Sequence, residues 1–173
     1  GRSSSPPSNI SMTAYSGGIV GVNTGSSAQI HNSFSLSTSV SAYTAKGGIA
    51  GQNANSAKIV NTYFDQGVSS GVSTPVGTQS ASLTNSSGKS TADMKKDQFA
   101  WILNTTNGTE ENSGAWTRGT DGYPTFANED SLAIRKVVFN DDGTTSNRYT
   151  NYKGLVTFPE NPEPAEGYIF TGW

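Results

Sequence analysis

The sequence predicts a mainly β protein, in which a β-solenoid of repeats about 30 residues long, with one capping helix, precedes a small β domain. Two sequence blocks recur in constant order at a spacing of 29 or 30 residues. Ser, Thr, Gly and Asn make up nearly half of the 173 residues, and only 32% are hydrophobic. Such a chain buries little apolar surface per residue, which favours stacked, hydrogen-bonded repeats over one compact core.

The repeat has two matched parts. Gly-Gly-Ile-Val-Gly at 17–21 returns as Gly-Gly-Ile-Ala-Gly at 47–51. Ala-Gln-Ile-His-Asn-Ser-Phe at 28–34 returns as Ala-Lys-Ile-Val-Asn-Thr-Tyr at 57–63. The spacing falls by one residue in the second part because the intervening turn is one residue shorter. In that part apolar and polar residues alternate, which is typical of a β-strand.

This alternation predicts which side chains face inward. The predicted inner face of the first copy holds Ala28, Ile30, Asn32, Phe34 and Leu36.

If successive coils stack about 4.8 Å apart, like residues lie over like. The expected ladders are Ile30 over Ile59, Asn32 over Asn61 and Phe34 over Tyr63. A solenoid needs about three repeats to be stable. We therefore expect the region after Tyr63 to supply another coil, from strands around 71–76 and 80–83.

The two copies resemble the GLUG motif of bacterial surface proteins, with isoleucine in place of the leucine that gives the motif its name. The resemblance covers about residues 15–65. The family occurs in adhesin-like proteins and beside the catalytic part of some immunoglobulin A peptidases. It therefore implies a cell-surface protein.

The segment 91–103 is predicted to form one helix, which Ser90 or Thr91 caps and in which Asp93 suits the positive N-terminal end. The expected buried stripe consists of Met94, Phe99 and Ile102. Trp116 and the residues 123–126 then return to extended structure. Helix and strand would cover the open end of the solenoid, which gives a first domain over 9–127.

The charge balance changes near Ser90: residues 1–90 carry four basic and one acidic side chain, and residues 91–173 carry seven basic and twelve acidic ones. The segment 128–135 is predicted to be a linker. Lys-Val-Val-Phe at 136–139 predicts a strand, and Asn-Asp-Asp-Gly at 140–143 predicts a hairpin turn.

Three spaced prolines then precede Gly-Tyr-Ile-Phe-Thr-Gly-Trp at 167–173. With the strand and turn before them, these residues resemble the Listeria–Bacteroides repeat. The resemblance covers residues 136–173 and implies a small β-grasp-like domain in proteins displayed on bacterial surfaces. The copy stops at its Gly-Trp, where the family continues, so we predict a truncated repeat in a segment of a longer protein.

No catalytic, cofactor-binding or metal-binding residue is predicted. His31 is the single histidine and faces outward, and the nearest acid in sequence is Asp65. A catalytic base or a metal ligand needs partners that His31 lacks. The turn at 140–143 lacks the ligand spacing of a calcium loop. The acid pairs at 110–111 and 129–130 lie in polar stretches, where solvated side chains are expected. We therefore expect no cofactor and no enzyme activity.

Aromatic side chains are the remaining candidates for ligand contact. Trp101, Trp116 and Trp173 could stack on sugars, but Trp173 and Tyr168 match core positions of the repeat that they resemble, which favours packing. An exposed ligand patch at Tyr15 and Tyr43 stays open as the less favoured alternative. The binding residues are therefore unknown from the sequence.

The main hypothesis is a non-catalytic structural or adhesive segment of an extracellular, bacterial cell-surface protein. Its candidate partners are a host glycan or an extracellular matrix protein. The alternatives are an accessory or substrate-recognition region of a secreted peptidase or glycosidase, and a glycan-binding module. The net charge of −2 predicts no basic patch and so no nucleic acid partner. No apolar run approaches the ~20 residues of a membrane span.

Overall fold

The computed structural model describes residues 14–112 and 114–173. Their contacts form two compact units, the first ending at Gly88 and the second running from Lys89 to Trp173. The protein is mainly β, as predicted. Among the described residues, no helix is long and apolar enough to cross a membrane.

Parallel strand pairs build the first unit. Strands β1, β2 and β3 repeat as β4, β5 and β6, and β7 and β8 add to the second and third of these sheets, giving the orders β1-β4, β2-β5-β7 and β3-β6-β8, with β9 also paired to β6. The bounds are β1 Tyr15–Gly17, β2 Val20–Thr24, β3 Gln29–Ser35, β4 Ala45–Gly47, β5 Ala50–Ala54, β6 Lys58–Asp65, β7 Val76–Gln79, β8 Ser82–Thr84 and β9 Ser87–Lys89.

The register confirms the predicted stacking of like residues. Ile30 lies opposite Ile59, and Phe34 lies opposite Tyr63. The chain after Tyr63 also supplies a third layer, as expected, because Leu83 of β8 continues the row beside Ile59. β5 pairs with β2 and β7, and β6 pairs with β3 along most of its length and with β8 at Lys58, Ile59 and Val60. The middle layer thus has hydrogen-bonding neighbours on both sides.

The apolar core of the first unit is small. Its buried members are Ile49, Ala50, Ile59, Phe64 and Val76. Side chains of the outer layers, among them Ile30 and Leu83, pack against it while staying partly exposed. The middle layer is therefore the best buried of the three, because it has a neighbour on each side.

The predicted alternation fails after Asn32 and Asn61: Leu36 is exposed, and the neighbours Tyr63 and Phe64 are both buried. Asn32 and Asn61 have positive φ angles of 49° and 52°. Asparagine tolerates this left-handed conformation better than most residues, and it interrupts the strict alternation of an extended strand. Phe64 therefore enters the core, whereas Leu36, expected inside, is exposed.

Because Gly48 has no side chain, the Phe64 ring can pack directly against its backbone. A Cβ added to Gly48 would lie 2.2 Å from the Phe64 Cγ. In the preceding layer Gly18 lies equally close to a smaller side chain, because a Cβ on Gly18 would meet the Oγ of Ser35. The second glycine of each Gly-Gly pair is thus explained by a close approach that no side chain permits.

Asparagine side chains are stacked inside the first unit. Asn23 Nδ2 donates to Asn53 Oδ1 at 2.8 Å, and Asn53 Nδ2 donates to the carbonyl oxygen of Ser82 at 2.9 Å. This amide row joins three layers, and the alternation of apolar and polar residues does not predict it. Asn61, for which a ladder was expected, is fully buried and accepts a 2.9 Å hydrogen bond from the Tyr63 hydroxyl. Burial raises the pKa of Tyr63 to about 12.

The second unit contains two short helices and two hairpins. The single helix predicted over 91–103 is two helices, because Lys96 is extended and caps the second. Ser90 caps the first by accepting from the Asp93 amide, as predicted. The elements are α1 Thr91–Met94, α2 Asp97–Leu103, β10 Trp116–Arg118, β11 Pro124–Phe126, β12 Lys136–Asp141 and β13 Thr144–Tyr149.

The predicted hairpin turn is confirmed. Strands β12 and β13 pair antiparallel, and both Asp142 and Gly143 have positive φ, which suits a two-residue turn between twisted strands. Trp173 packs edge-on against Phe139, with ring centroids 5.3 Å apart. Tyr168, for which packing was also expected, is 76% exposed.

The expected linker over 128–135 is packed within the second unit. Ile134 is fully buried with Ala100 and Trp101 of α2, and the Trp101 and Tyr149 rings lie 5.4 Å apart. The contacts therefore divide the chain after Gly88 and not at the expected linker. The physical reason is that these apolar groups are buried only when helix, linker and hairpin pack together.

Asn104 holds three segments of the second unit together. Its Nδ2 donates to the carbonyl oxygens of Trp116 and Ile134, at 2.8 and 3.1 Å. Its Oδ1 accepts from the amides of Ala115 and Trp116, both at 2.7 Å. The side chain is fully buried, and these contacts use all its donors and lone pairs.

We predict that Gly48→Ala lowers the free energy of unfolding by about 1–3 kcal/mol, because the new methyl group overlaps the Phe64 ring. Urea unfolding measures it. In a Phe64→Ala background, the same glycine substitution should cost much less, because the ring is gone. An equal cost in both backgrounds would show that the clash is elsewhere.

We also predict that Asn104→Asp lowers the free energy of unfolding by about 3 kcal/mol, because a carboxylate cannot donate to two buried carbonyl groups. The matched control is Asn112→Asp, since the Asn112 Oδ1 accepts from Gly114 and a carboxylate accepts equally well. Thermal unfolding of both variants checks the difference. Similar losses in the two would contradict the role given to Asn104.

Candidate functional site

A cleft in the second unit has a volume of about 820 Å³. Hydroxyl, amide and carboxylate groups line most of it, so we name it the hydroxyl cleft. Its wall consists of residues 117–122, 124, 125, 128, 130, 131 and 152.

The β10–β11 hairpin forms one wall. Its loop is closed by the Gly119 amide, which donates to the Tyr123 carbonyl at 2.8 Å. The Asp121 side chain accepts from the Tyr123 amide at 3.1 Å, and Gly122 takes the positive φ of 91° that the turn requires. The Gly-Tyr-Pro sequence thus makes a tight loop whose polar groups line the cleft.

A second turn forms the opposite part of the wall. Asn128 Oδ1 accepts from the Asp130 amide and from the Ser131 hydroxyl, both at 2.9 Å. Tyr152 is fixed through its backbone, whose carbonyl oxygen accepts from Leu132 at 2.7 Å. Its partly exposed ring adds an apolar surface to the polar wall.

Thr117 contributes an unsatisfied hydroxyl group to this wall. The residue is fully buried, and its Oγ1 has no hydrogen-bond partner among the described residues. A buried hydroxyl without a partner carries a desolvation cost. Because this oxygen is out of reach of solvent, a ligand would meet the exposed side chains of the wall, among them Thr125, Asn128 and Asp130. Free hydroxyl, amide and carboxylate groups beside an exposed ring are the groups that bind a polyhydroxylated ligand.

Arg118 lies at one edge of the cleft and contacts Asp97. The Arg118 Nε is 2.9 Å from Asp97 Oδ1, yet the oxygen receives no well-directed hydrogen bond, so the contact is mainly Coulombic. Partial burial raises the pKa of Asp97, and the charge of Arg118 lowers it. The net shift is upward, because desolvation outweighs the guanidinium.

The structure separates the polar residues considered from the sequence. His31 is exposed on β3, opposite Val60. Asp65 is buried and accepts from the Gly67 amide. In the pair at 110–111, Glu111 forms an ion pair with Arg135 at 2.8 Å.

Asp130, from the pair at 129–130, is the acid of these sets that reaches the hydroxyl cleft. From the sequence, Asp130 was expected to be a solvated linker residue. The Gly-Tyr-Pro segment at 122–124 predicts a turn, but it does not predict that Asp130 lies in the same cleft as that turn.

The aromatic side chains considered from the sequence also differ in their surroundings. Trp101 is buried, and Trp116 stacks on Phe126 with centroids 4.5 Å apart. Tyr15 is half-buried, whereas Tyr43 is 81% exposed. The ring that lines the hydroxyl cleft is Tyr152, which was not among the candidates.

Within residues 14–112 and 114–173, no cluster of three or more His, Cys, Asp or Glu side chains could hold a metal ion. No protein-family model, curated protein or solved structure matches the chain.

We predict that Asp97 and Asp93, in α2 and α1, change the stability of the protein in opposite directions as the pH changes. The Asp97 pKa is raised by burial, so its contribution to stability is present below its unfolded pKa and is lost as pH rises through the folded one. The Asp93 pKa is lowered, first by the Lys96 hydrogen bond, so its contribution is lost as pH falls. Carboxyl-carbon NMR should show Asp97 protonating first on acidification.

Arg118→Gln should raise the Asp97 pKa further, because it removes the positive charge that opposes desolvation. Arg135→Gln is the control, since Arg135 pairs with Glu111 instead. An Asp97 pKa that falls in the first variant, or moves equally in both, would contradict this account.

Proposed function

We propose that this chain is a non-catalytic structural and adhesive segment of a bacterial cell-surface protein, and that its first unit is a β-solenoid. The observation that carries the proposal is the in-register stack of parallel strands, in which the Asn23–Asn53 side-chain hydrogen bond joins two layers and Asn53 continues to the backbone of the third. Stacked layers of this kind suit a spacer or an extended contact surface better than a closed catalytic cavity.

The solenoid assignment is supported by matched pairing in successive layers. β5 pairs in parallel with β2 on one side and with β7 on the other. β6 does the same with β3 and β8. The paired strands are 30, 29, 26 and 24 residues apart in sequence, and parallel neighbours at such similar offsets are what coiling of one chain produces. The likeness of 17–21 and 47–51 to the GLUG motif favours a surface-displayed protein.

Glycan binding is the second candidate, and the hydroxyl cleft favours it. The exposed side chains of Thr125 and Asp130 and the ring of Tyr152 line one concave surface. Sugars bind through such combinations of hydrogen-bonding groups and a ring face. This candidate is compatible with the first, because an adhesive segment needs a ligand.

An antibody raised against the purified chain is expected to label intact, unpermeabilised cells of the bacterium that produces the parent protein. A cytoplasmic protein of the same cells is the control and should stay unlabelled. Labelling only after permeabilisation would contradict the cell-surface proposal.

We expect the purified chain to hydrolyse peptidase and glycosidase substrates no faster than the background rate, with or without added zinc or calcium. A turnover signal that survives repurification and disappears on a single substitution would overturn the non-catalytic part of the proposal. It would favour an accessory role in a secreted hydrolase.

A further inference from the structure

Positive charge in the second unit is concentrated at one cleft. Residues 91–173 carry twelve acidic and seven basic side chains, so this part of the chain is acidic. A cleft of about 390 Å³ nevertheless has four basic side chains and one carboxylate in its wall. We name it the basic cleft; its charged residues are Lys95, Lys96, Asp97, Arg118 and Arg148.

Two of these cations already have counterions. Lys96 Nζ lies 2.6 Å from Asp93 Oδ1, and Arg118 Nε lies 2.9 Å from Asp97 Oδ1. Their charges are therefore largely compensated within the protein. The remaining positive charge of the cleft belongs to the other two side chains.

Lys95 and Arg148 form no ion pair with a carboxylate of the described residues. The Lys95 ammonium lies over the Tyr123 ring, 4.6 Å from its centroid, and Arg148 donates to the backbone carbonyl of Asn147 at 3.1 Å. Neither contact neutralises a charge. Like charges gathered in one concavity raise its positive potential, which attracts an anionic ligand.

The basic cleft shares Arg118 with the hydroxyl cleft, so the two are neighbours. Lys95 also reaches the loop of the hydroxyl cleft, because its side chain lies against Gly122. A ligand that spans both would meet hydroxyl and amide groups on one side and cations on the other. That combination matches a sugar chain that carries acidic groups.

Other polyanions fit less well. Single-stranded nucleic acid is usually bound by cations interleaved with exposed aromatic rings on which bases stack. The ring in the basic cleft is Tyr149, which packs against Trp101. An acidic peptide offers few hydroxyl groups for the polar wall of the hydroxyl cleft.

We propose that the basic cleft and the adjoining hydroxyl cleft together bind an acidic polysaccharide, whose sulfate or carboxylate groups contact Lys95 and Arg148. The inference rests on the proposed adhesive function, for which it names the class of partner. It corrects the expectation, drawn from the net charge, that the protein has no basic patch.

The test measures binding of the purified chain to immobilised dextran sulfate, polygalacturonate, neutral dextran, polyglutamate and single-stranded DNA. We expect binding to dextran sulfate, polygalacturonate or both, and weaker binding as added salt screens the charges. The preferred probe tells sulfate from carboxylate. Tighter binding to polyglutamate or DNA overturns the proposal. Equal binding to neutral dextran also overturns it, while leaving the hydroxyl cleft as a glycan site.

The variant Lys95→Gln/Arg148→Gln should lower the affinity about tenfold, because it removes both uncompensated charges without leaving a buried carboxylate unpaired. The matched control is Lys46→Gln/Lys58→Gln, which removes two charges from exposed lysines of the first unit and should change the affinity less than about twofold.

Equal losses in the two double variants would show unspecific charge attraction and would overturn the proposal, as would full affinity in Lys95→Gln/Arg148→Gln. If the double variant unfolds, the single variant Lys95→Gln replaces it in the test, and its expected loss of affinity is smaller than tenfold. Cell-surface labelling is independent of these results, so failure here leaves the proposed location standing.

Discussion

The buried side-chain amide is the interaction on which both units of this protein depend. The chain has few apolar residues, and its cores are small clusters. Polar groups must therefore be taken inside, and each needs a partner there. Asn23 and Asn53 meet this requirement by pairing with each other across layers. Asn104 meets it by binding backbone groups of two other segments, at Ala115–Trp116 and at Ile134.

This constraint explains the difference between the two units. In the first unit like amides follow one another at the layer spacing, so one residue type at one position serves successive strands. In the second unit the geometry is not repeated, and a single amide must satisfy backbone groups that different parts of the chain bring together. Asn104 therefore fixes where the segment around Ile134 lies, although nothing in that segment's own sequence demands it.

The strand stacking could be predicted from the sequence because it is a local repeat. Two matched blocks determine which residues lie opposite each other, and Ile30 and Ile59 do. The break in the alternation at Asn32 and Asn61 could not be predicted, because an asparagine in a polar strand is compatible with both extended and left-handed backbone. The packing of the expected linker depends on long-range contacts of Ile134, which composition does not reveal.

The candidate site could be predicted least. The hydroxyl cleft joins Thr117, Asp130 and Tyr152, which come from three separate segments. Each of these residues is ordinary in its own context, so no motif marks them. Net charge was also misleading, because a sum over the chain hides the gathering of Lys95 and Arg148 at one concave surface.

The Asn23–Asn53 row also bears on how such a protein lengthens by gene duplication. At the corresponding place in the third layer stands Gln79, opposite Asn53, and the donated hydrogen bond of Asn53 ends on the backbone of Ser82. A copied segment inserted after the middle layer would bring its own asparagine, receive the bond from the layer before it and pass one to the layer after it. This hydrogen bond would require no compensating change in the neighbouring layers. The number of repeats could therefore vary while the asparagine contacts between layers stay the same.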